Sequence, residues 1–426
     1  MNRVVVTGIG AVSPLGNSFR ESWEASKAGL SGIIPLTRFD ISGLSWTVAG
    51  ELKGFDPREY LSQKEIYRLD PFVHYAVAAA TMAAEDAGLI SPPHPPLTKG
   101  GYRGGVYSNL LDSGGVIIGS SRGGISTLEK ELQKKYSSRF SPVRPRTSAH
   151  LMSSTTISMA SSYVAQKLGI KGYCLGISNA CASGTSAIGE AYRLIRSGRG
   201  GPLFCGGTEA PICRICVEGY GSSGALSKIS DPSASRPFDK TRDGFVLSEG
   251  ACVLVLEDYD SAVKRGAKIY GEIVAYGNTT DAFHQTRPIP EGEARAIRTA
   301  MDEAGLKPED IDFINAHGTS TPLGDKTETK AIKLIFGERA YRIPVTSAKS
   351  LTGHMLAASG SLEAAFTLMS MKEEIIPPTI NLKEKDSECD LDYVTHARKA
   401  DIEFAVSNSF GFGGVNAVLV FRRLSV

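Results

Sequence analysis

The stretch "ISNACASGTSAIGEA", residues 177–191, places Cys181 between a short apolar run and a series of small Ala, Ser, Gly and Thr side chains. Beyond the cysteine, apolar side chains recur with the 3.6-residue period of a helix as far as Ile195. The glycines of "SGRGG", residues 197–201, provide the helix stop. The pattern predicts a helix that begins within about two residues of Cys181.

A cysteine at a helix start is a candidate nucleophile. Ser178 and Asn179 are residue types that favour the N-cap. The positive end of the helix dipole would lower the pKa of the Cys181 thiol from about 8.5 to between about 3.5 and 7.5. Such a thiolate would need no adjacent base. An inert, buried thiol in a tightly packed helix explains the same stretch equally well, so this stretch alone leaves both interpretations open.

Composition limits the class of protein. The chain has 426 residues, and its formal net charge of +2 gives no overall field that would attract nucleic acid. No apolar run of about eighteen residues occurs, so we expect no membrane insertion. The opening "MNRVVVTGIGAVSPLG" has the pattern of a strand and a turn, which predicts a cytoplasmic protein or an organellar one without its transit peptide. Cys213 and Cys216 form a C-x-x-C without a second pair at zinc-finger spacing, so no metal site is expected.

Short β-branched runs alternate with helical patterns along the chain, and this alternation predicts a layered α/β fold. Several runs are apolar almost throughout, which is typical of strands covered on both faces. The polar segment 258–268 separates two halves, which we place at residues 1–260 and 261–426. The strand-like runs are 3–10, 114–121, 202–207, 251–257, 268–277, 311–316, 402–408 and 415–421, and the clearest helical patterns are 70–88, 293–305 and 360–374.

The second half carries residues that could act together with Cys181. His317 follows a strand-like run, His354 ends "KSLTGH", and Phe410 and Phe412 stand in a glycine-rich turn. Each feature alone is weak evidence, but the combination favours an active site. The three segments are "NAHGTSTPLGDKTE" (315–328), "TSAKSLTGHMLAASGSLEAA" (346–365) and "SNSFGFGGVNA" (407–417).

On these motifs the chain resembles the β-ketoacyl-acyl-carrier-protein synthases of the type I/II condensing class, and most of all the elongating type II enzymes. The resemblance runs nearly end to end and includes "RPFDKTRDGFVLSEGA" (236–251) and "PPTINL" (377–382). It implies a thiolase-like αβαβα fold of two similar halves and a homodimer. It also implies acyl carrier protein as the partner and no cofactor of the enzyme's own, because phosphopantetheine arrives on the carrier.

The implied reaction is the decarboxylative Claisen condensation of fatty acid elongation. Cys181 would accept the acyl chain as a thioester, and its backbone N–H would form the oxyanion hole with that of Phe412, which also acts as a gate. His317 and His354, as neutral rings, would donate hydrogen bonds to the malonyl thioester oxygen. The resemblance further implies a supporting pair, Lys349 and Glu363, for which a purely structural role stays open. It assigns substrate binding to Thr286, Thr319, Thr321, Phe410 and Arg122.

Departures from the elongating pattern leave the pathway open. Arg122 stands where elongating enzymes generally carry a small or aliphatic residue that lines the acyl pocket, Asn179 stands where Thr is usual, and segment 91–113 is longer than usual. Arg122 must either pair with a carboxylate or turn to solvent, where it would only brace the dimer. The alternative function is a ketosynthase of a specialised polyketide or unusual-fatty-acid pathway, and a ketosynthase-like subunit could replace the second copy of the homodimer.

Carrier docking is expected to be electrostatic, because acyl carrier proteins are acidic. The basic residues in segments that resemble the docking rim of the family are Lys64, Arg68 and Arg139. A solvated charged face explains the same residues.

Overall fold

The computed structural model describes residues 1–90, 109–137 and 146–424. The strands are β1 (Val4–Val12), β2 (Ile34–Pro35), β3 (Val48–Ala49), β4 (Gly115–Gly119), β5 (Cys174–Ile177), β6 (Leu203–Glu209), β7 (Gly250–Asp258), β8 (Gly271–Thr280), β9 (Phe313–Asn315), β10 (Val345–Thr346), β11 (Ile375–Ile376), β12 (Arg398–Lys399), β13 (Phe404–Gly411) and β14 (Val415–Arg422). The helices are α1 (Phe19–Lys27), α2 (Gln63–Arg68), α3 (Pro71–Asp86), α4 (Leu110–Ser113), α5 (Ile125–Ser137), α6 (Leu151–Thr155), α7 (Met159–Leu168), α8 (Ser183–Arg196), α9 (Arg214–Ser222), α10 (Tyr259–Lys264), α11 (Pro290–Ala304), α12 (Pro322–Phe336), α13 (Lys349–Thr352) and α14 (Ala357–Glu373). Short 3₁₀ turns lie at Pro57–Glu59, Pro308–Asp310 and Gly337–Arg342.

The main sheet consists of two halves with the same topology. Its strand order in the described residues is β10-β9-β13-β14-β8-β1-β7-β6-β4-β5. If the main-sheet strands of each half are numbered along the chain, both halves have the same order from the outer edge of the sheet to its centre: third, second, fourth, fifth, first. In both halves the second, third and fourth strands are parallel to one another. The fifth strand pairs antiparallel with the fourth, and the first pairs antiparallel with the fifth. The halves meet where β1 pairs antiparallel with β8, Val4 opposite Ile273.

Helices cover both faces of the sheet, which explains the continuously apolar strands. β7 alternates between two cores, because Leu254 packs with α8 and α14 whereas Val253 packs with α3 and α7. α8 and α14 contact strands of both halves, and α11 and α12 cover the outer face of the second half. The layers are therefore α, β, α, β, α, and the predicted fold of two similar halves is confirmed.

Local predictions largely agree with the structure. Each predicted strand run coincides with an observed strand, and the three helical patterns correspond to α3, α11 and α14. The polar segment 258–268, for which the sequence predicted neither a strand nor a helix, contains the short helix α10. Residues 91–108, most of the long segment 91–113, lie outside the described residues.

The small residues that follow Cys181 allow a close crossing of the two central helices. A Cβ at Gly184 would lie only 2.2 Å from the carbonyl oxygen of Ala357, at the start of α14. Only a residue without a Cβ permits this approach. The crossing brings the start of α8 next to the segment that carries His354.

Candidate active site

A cavity of about 310 Å³ lies over the start of α8 and is lined by both halves of the chain. It brings together predicted site residues that are far apart in sequence, which are Cys181, Thr286, His317, Thr319, Thr321, His354, Phe410 and Phe412. Lys349, Glu363 and Arg122 do not line it.

Cys181 sits on a strained backbone turn between β5 and α8. The preceding residue, Ala180, has φ +47°, a conformation that costs on the order of 1–3 kcal/mol outside glycine. Two hydroxyls hold this turn, because Ser121 Oγ and Ser183 Oγ donate to the Ala180 carbonyl at 2.7 and 2.6 Å. The turn presents the Cys181 side chain to the cavity.

The predicted position of the helix start is confirmed, but the predicted caps are wrong. α8 begins at Ser183, two residues after Cys181, and its N-cap position is Ala182, with no side-chain cap. Asn179 instead donates its side-chain N–H to Ser186 Oγ at 3.1 Å. Its backbone N–H donates to Ser183 Oγ at 2.8 Å, so Asn179 braces the turn rather than capping the helix.

The thiol of Cys181 is not acidified as the helix start suggested. Desolvation raises the pKa of Cys181 to about 11, although the Lys349 charge, the Phe412 N–H and Arg122 all lower it. Burial therefore outweighs these three contributions to the pKa of the thiol. At neutral pH the resting side chain is a protonated thiol.

A backbone amide points at the sulfur of Cys181. The N–H of Phe412 donates to the thiol, from the turn that joins β13 to β14. The two strands close tightly on the Cys181 turn, since a Cβ at Gly411 would lie 2.9 Å from the carbonyl oxygen of Asn179 and 3.3 Å from the Cys181 nitrogen. Gly413 and Gly414 adopt φ values of +86° and +70°, which explains the glycines after Phe412.

His317 and His354 stand side by side in the cavity, with ring centroids 5.4 Å apart. The Oγ of Ser359 accepts the Met355 N–H at 2.8 Å and lies 3.1 Å from His354 Nδ1. When Ser359 donates its hydroxyl proton to Nδ1, the proton of the neutral ring lies on Nε2. Nε2 is buried and has no partner among the described residues, so in that tautomer it is a free donor in the cavity wall.

Both imidazoles are held neutral. Desolvation is the main cause that lowers the pKa of His317 and of His354 well below the usual value, and the charge of Lys349 lowers both further. Neutral rings are what hydrogen-bond donation to a thioester oxygen requires.

A carboxylate that the sequence analysis missed fixes the position of His317. Glu328 in α12 accepts the backbone N–H groups of His317 and Gly318 at 2.8 and 2.7 Å. Asn408 Nδ2 donates to the same carboxylate at 3.0 Å. The signal was present in the sequence, because Glu328 ends the motif that begins before His317.

Lys349 and Glu363 form the expected buried pair. Their Nζ and Oε1 atoms are 2.5 Å apart, and their side chains are only 1% and 3% exposed. Lys349 acts on the cavity through its charge rather than by contact, as its effect on the pKa of Cys181 and of both histidines shows. Removal of one member of such a pair costs about 3–5 kcal/mol, so the pair also stabilises the fold.

Arg122 turns to solvent and contacts the cavity lining through Tyr220. Its Nε donates to the Tyr220 hydroxyl at 2.8 Å, and its guanidinium lies 5.1 Å from the centroid of that ring. Tyr220, which the sequence analysis missed, lines the cavity with its ring centroid 6.4 Å from that of Phe412. Among the described residues Arg122 therefore makes no side-chain pair with a carboxylate, although its backbone N–H donates to Glu209 at 2.9 Å.

The three threonines predicted to bind substrate all line the cavity. Thr319 Oγ1 and Thr321 Oγ1 are hydrogen-bonded at 2.9 Å, and Thr321 also caps α12 through the Gly324 N–H at 3.2 Å. Thr286 is exposed, and its backbone N–H donates to His284 Nδ1 at 3.1 Å. Together with Asp281 and Gln285, these threonines form a polar part of the cavity lining.

Comparison with known proteins places these observations in a family. The N-terminal and C-terminal domains of β-ketoacyl synthase match residues 1–262 and 270–383. The chain is 46% identical to 3-oxoacyl-[acyl-carrier-protein] synthase 2 of Synechocystis sp. over 99% of this chain and 98% of the relative. A β-ketoacyl synthase from Burkholderia phymatum is similar in structure, with a TM-score of 0.89, 35% identity and full coverage of both chains.

A further structural relative is a ketosynthase seen with a carrier protein. It belongs to a complex of a type II polyketide acyl carrier protein with its hexaketide-bound ketosynthase, with a TM-score of 0.86, 31% identity and coverage of 99% and 100%. Separately, no helix in residues 1–90, 109–137 and 146–424 is long and apolar enough to cross a bilayer.

Proposed function

The chain belongs to the β-ketoacyl synthase family, and we propose that it condenses a carrier-bound acyl chain with malonyl-acyl-carrier protein to give β-ketoacyl-carrier protein in fatty acid elongation. The observation that carries this proposal is the meeting of Cys181, the Phe412 N–H and two neutral histidines in one cavity. A cysteine hydrolase would need a single histidine. The near full-length similarity to elongating enzymes favours elongation over a specialised pathway.

In the first half-reaction, Cys181 attacks the carbonyl carbon of the acyl thioester. The backbone N–H groups of Cys181 and Phe412 stabilise the oxyanion that forms, and one such donor is commonly worth about 10²–10³ in rate. The carrier thiol leaves with the proton that Cys181 gives up. The product is an acyl-enzyme thioester.

In the second half-reaction, malonyl-carrier protein binds and loses CO₂. His354 Nε2–H and a ring N–H of His317 donate to the thioester oxygen, where the enolate charge develops. The enolate carbon then attacks the acyl thioester, the C–S bond to Cys181 breaks, and Cys181 leaves as a thiolate that takes a proton from water. The charge of Lys349, which is paired with Glu363, helps to keep both histidines neutral.

The carrier protein supplies the phosphopantetheine arm, so the enzyme needs no cofactor of its own. The part of the cavity lining formed by Thr286, Thr319 and Thr321 offers hydroxyls and an exposed backbone to the amides of that arm. Phe410 packs near His317, at 5.9 Å between ring centroids, and closes the apolar side of the channel.

We also propose a cytoplasmic homodimer. In the described residues β5 ends the main sheet and pairs only with β4, and Cys174 at its start is exposed. An unpaired edge strand is a ready template for a second copy of the chain.

Carrier docking provides one prediction. Lys64 and Arg68 are exposed on α2, whereas Arg139 lies outside the described residues. Because the carrier is acidic, Arg68→Glu should raise KM for the carrier by about tenfold at low ionic strength. The effect should shrink at ~0.15 M salt, where the Debye length is about 8 Å.

The matched control for docking is Lys399→Glu, which reverses an exposed charge on β12. Steady-state kinetics with acyl-carrier protein at two salt concentrations is the measurement. An unchanged KM for Arg68→Glu at low salt would remove α2 from the docking surface.

The experiment that tests the function uses a chain-length series of acyl-carrier proteins with malonyl-carrier protein. Mass spectrometry of the carrier-bound product should show a β-ketoacyl chain two carbons longer than the primer. In this assay Arg122→Ile should shift the preferred primer toward longer plain alkyl chains, because the substitution removes the hydrogen bond that fixes Tyr220 against the cavity.

Tyr220→Phe is the matched control for Arg122, since it keeps the ring and removes the hydroxyl that Arg122 binds. The same shift in both variants would show that Arg122 acts through Tyr220. Identical chain-length profiles for wild type and Arg122→Ile would refute the selectivity claim, whereas absence of any extended product would refute the proposed function.

A further inference from the structure

The C-x-x-C pair forms a contact of its own at the start of α9. Cys213 is the N-cap residue and Cys216 lies in the first turn, so the two side chains are neighbours. The residues are 5% and 7% exposed. Cysteines at the N-cap and in the first turn of one helix have the spacing of a Cys-X-X-Cys motif, in which a disulfide can form.

The two thiols differ in acidity. The hydrogen bond from Cys216, more than any other cause, lowers the pKa of Cys213, whereas the same contact and burial raise the pKa of Cys216. The N-terminus of α9 adds a positive potential at Cys213. In contrast, burial raises the pKa of Cys181, Cys205, Cys252 and Cys389. Since the thiolate is the oxidisable form, Cys213 reacts before these four.

A small oxidant can reach the pair. The first turn of α9 lies at the surface, because Ile215, between the two cysteines, is 52% exposed. The two cysteines themselves retain a small exposure to solvent, of 5% and 7%.

We propose that Cys213 and Cys216 are a redox-active dithiol, which hydroperoxide oxidises to an intramolecular disulfide that slows acyl loading of Cys181. Cys213 thiolate attacks one peroxide oxygen, the O–O bond breaks, and the other oxygen leaves as water after it gains a proton. Cys216 sulfur then attacks the sulfenic acid, the S–O bond breaks, and the hydroxide leaves as water with the Cys216 proton. Two thiols and one hydrogen peroxide thus give one disulfide and two waters.

Tyr220 connects the pair to the cavity. It follows Cys216 by one helical turn on α9, binds Arg122 and packs near Phe412. A disulfide in the preceding turn changes the position of this ring. This consequence rests on the proposed function, because it concerns the acyl-loading step.

The test treats the folded, full-length protein with hydrogen peroxide, blocks free thiols with iodoacetamide and digests with trypsin without reduction. Trypsin cuts after Arg214, between the two cysteines, so the disulfide joins peptides 200–214 and 215–228. We expect this joined pair to appear before alkylation at Cys181 is lost, and to disappear on reduction. Cys213→Ser should abolish it, and exposed Cys174→Ser should not.

Acyl loading is measured on the same samples by intact mass. Oxidised wild type should load about tenfold more slowly than reduced enzyme, since a displacement of about 1 Å can cost up to 10²-fold. Cys213→Ser, treated alike, reports the loss from oxidation of Cys181 itself. A disulfide that forms only after unfolding would overturn the proposal, as would equal loading losses in wild type and Cys213→Ser. Absence of loading in reduced enzyme would instead overturn the proposed function and leave the disulfide result intact.

Discussion

Cys181→Ala should abolish both acyl-enzyme formation and β-ketoacyl product, with a loss of at least about 10⁴-fold. The reason is that, among the described residues, Cys181 is the cysteine that lines the cavity and receives the Phe412 N–H. Alanine fits the strained turn, because it removes one sulfur atom and leaves the hydroxyls that hold Ala180 untouched. The fold should therefore survive.

The measurements for this variant are intact mass after incubation with acyl-carrier protein and product analysis with malonyl-carrier protein. Exposed Cys174→Ala is the matched control and should load normally. Slow malonyl decarboxylation should persist in Cys181→Ala, since the two histidines remain, and this would show that the cavity is intact. An acyl adduct on the variant would end the assignment of the nucleophile.

The pH dependence of loading extends the same prediction. Because burial raises the pKa of Cys181 to about 11, the thiolate fraction grows as pH rises toward that value. We expect the loading rate to increase by about tenfold per pH unit across the neutral range, since the thiolate is the attacking species. A loading rate that is flat between pH 6 and 8 would mean that the thiol is already ionised, as the helix position alone had suggested.

Cys181 shows where reasoning from sequence stops. The helix start, the small residues and the glycine stop could all be read from a local pattern, and the structure confirms the start to within two residues. The pKa of the thiol could not be predicted from the local pattern, because it depends on how deeply the folded chain buries the side chain. The covering comes from the β13–β14 turn, which lies more than two hundred residues along the chain.

The supporting contacts of the histidines show the same limit. Both histidines could be picked out from motifs, but their protonation depends on Lys349 and on burial, and the tautomer of His354 depends on Ser359. Ser359 lies in the quoted motif 346–365, but nothing in the sequence distinguishes it from the other serines of that motif as the partner of His354. The doubled topology of the sheet was likewise invisible as a sequence repeat, since it lies in strand order and not in residue identity.

The neutral rings of His317 and His354 are the basis of a second prediction with a large expected effect on activity. His317→Ala and His354→Ala should each slow malonyl decarboxylation by about 10²–10³-fold, which is the usual loss for one donor to a developing oxyanion. Acyl loading should fall much less. The charges and hydrogen bonds that act most on the Cys181 thiol come from Lys349, Phe412, Glu209 and Arg122, and a neutral imidazole adds no charge to that set.

The two half-reactions are measured separately, with acyl-carrier protein alone for loading and malonyl-carrier protein alone for CO₂ release. His354→Asn is the matched variant, because its amide retains an N–H donor, and it should recover part of the decarboxylation that His354→Ala loses. The neutral state of the rings adds a second check. Since burial and Lys349 lower both pKa values, each ring stays neutral as pH falls through 6.5 and gains its proton only well below it, so decarboxylation by wild type should not change near that pH. Loading that collapses in His354→Ala while CO₂ release survives would reverse the assignment and make His354 the base for Cys181.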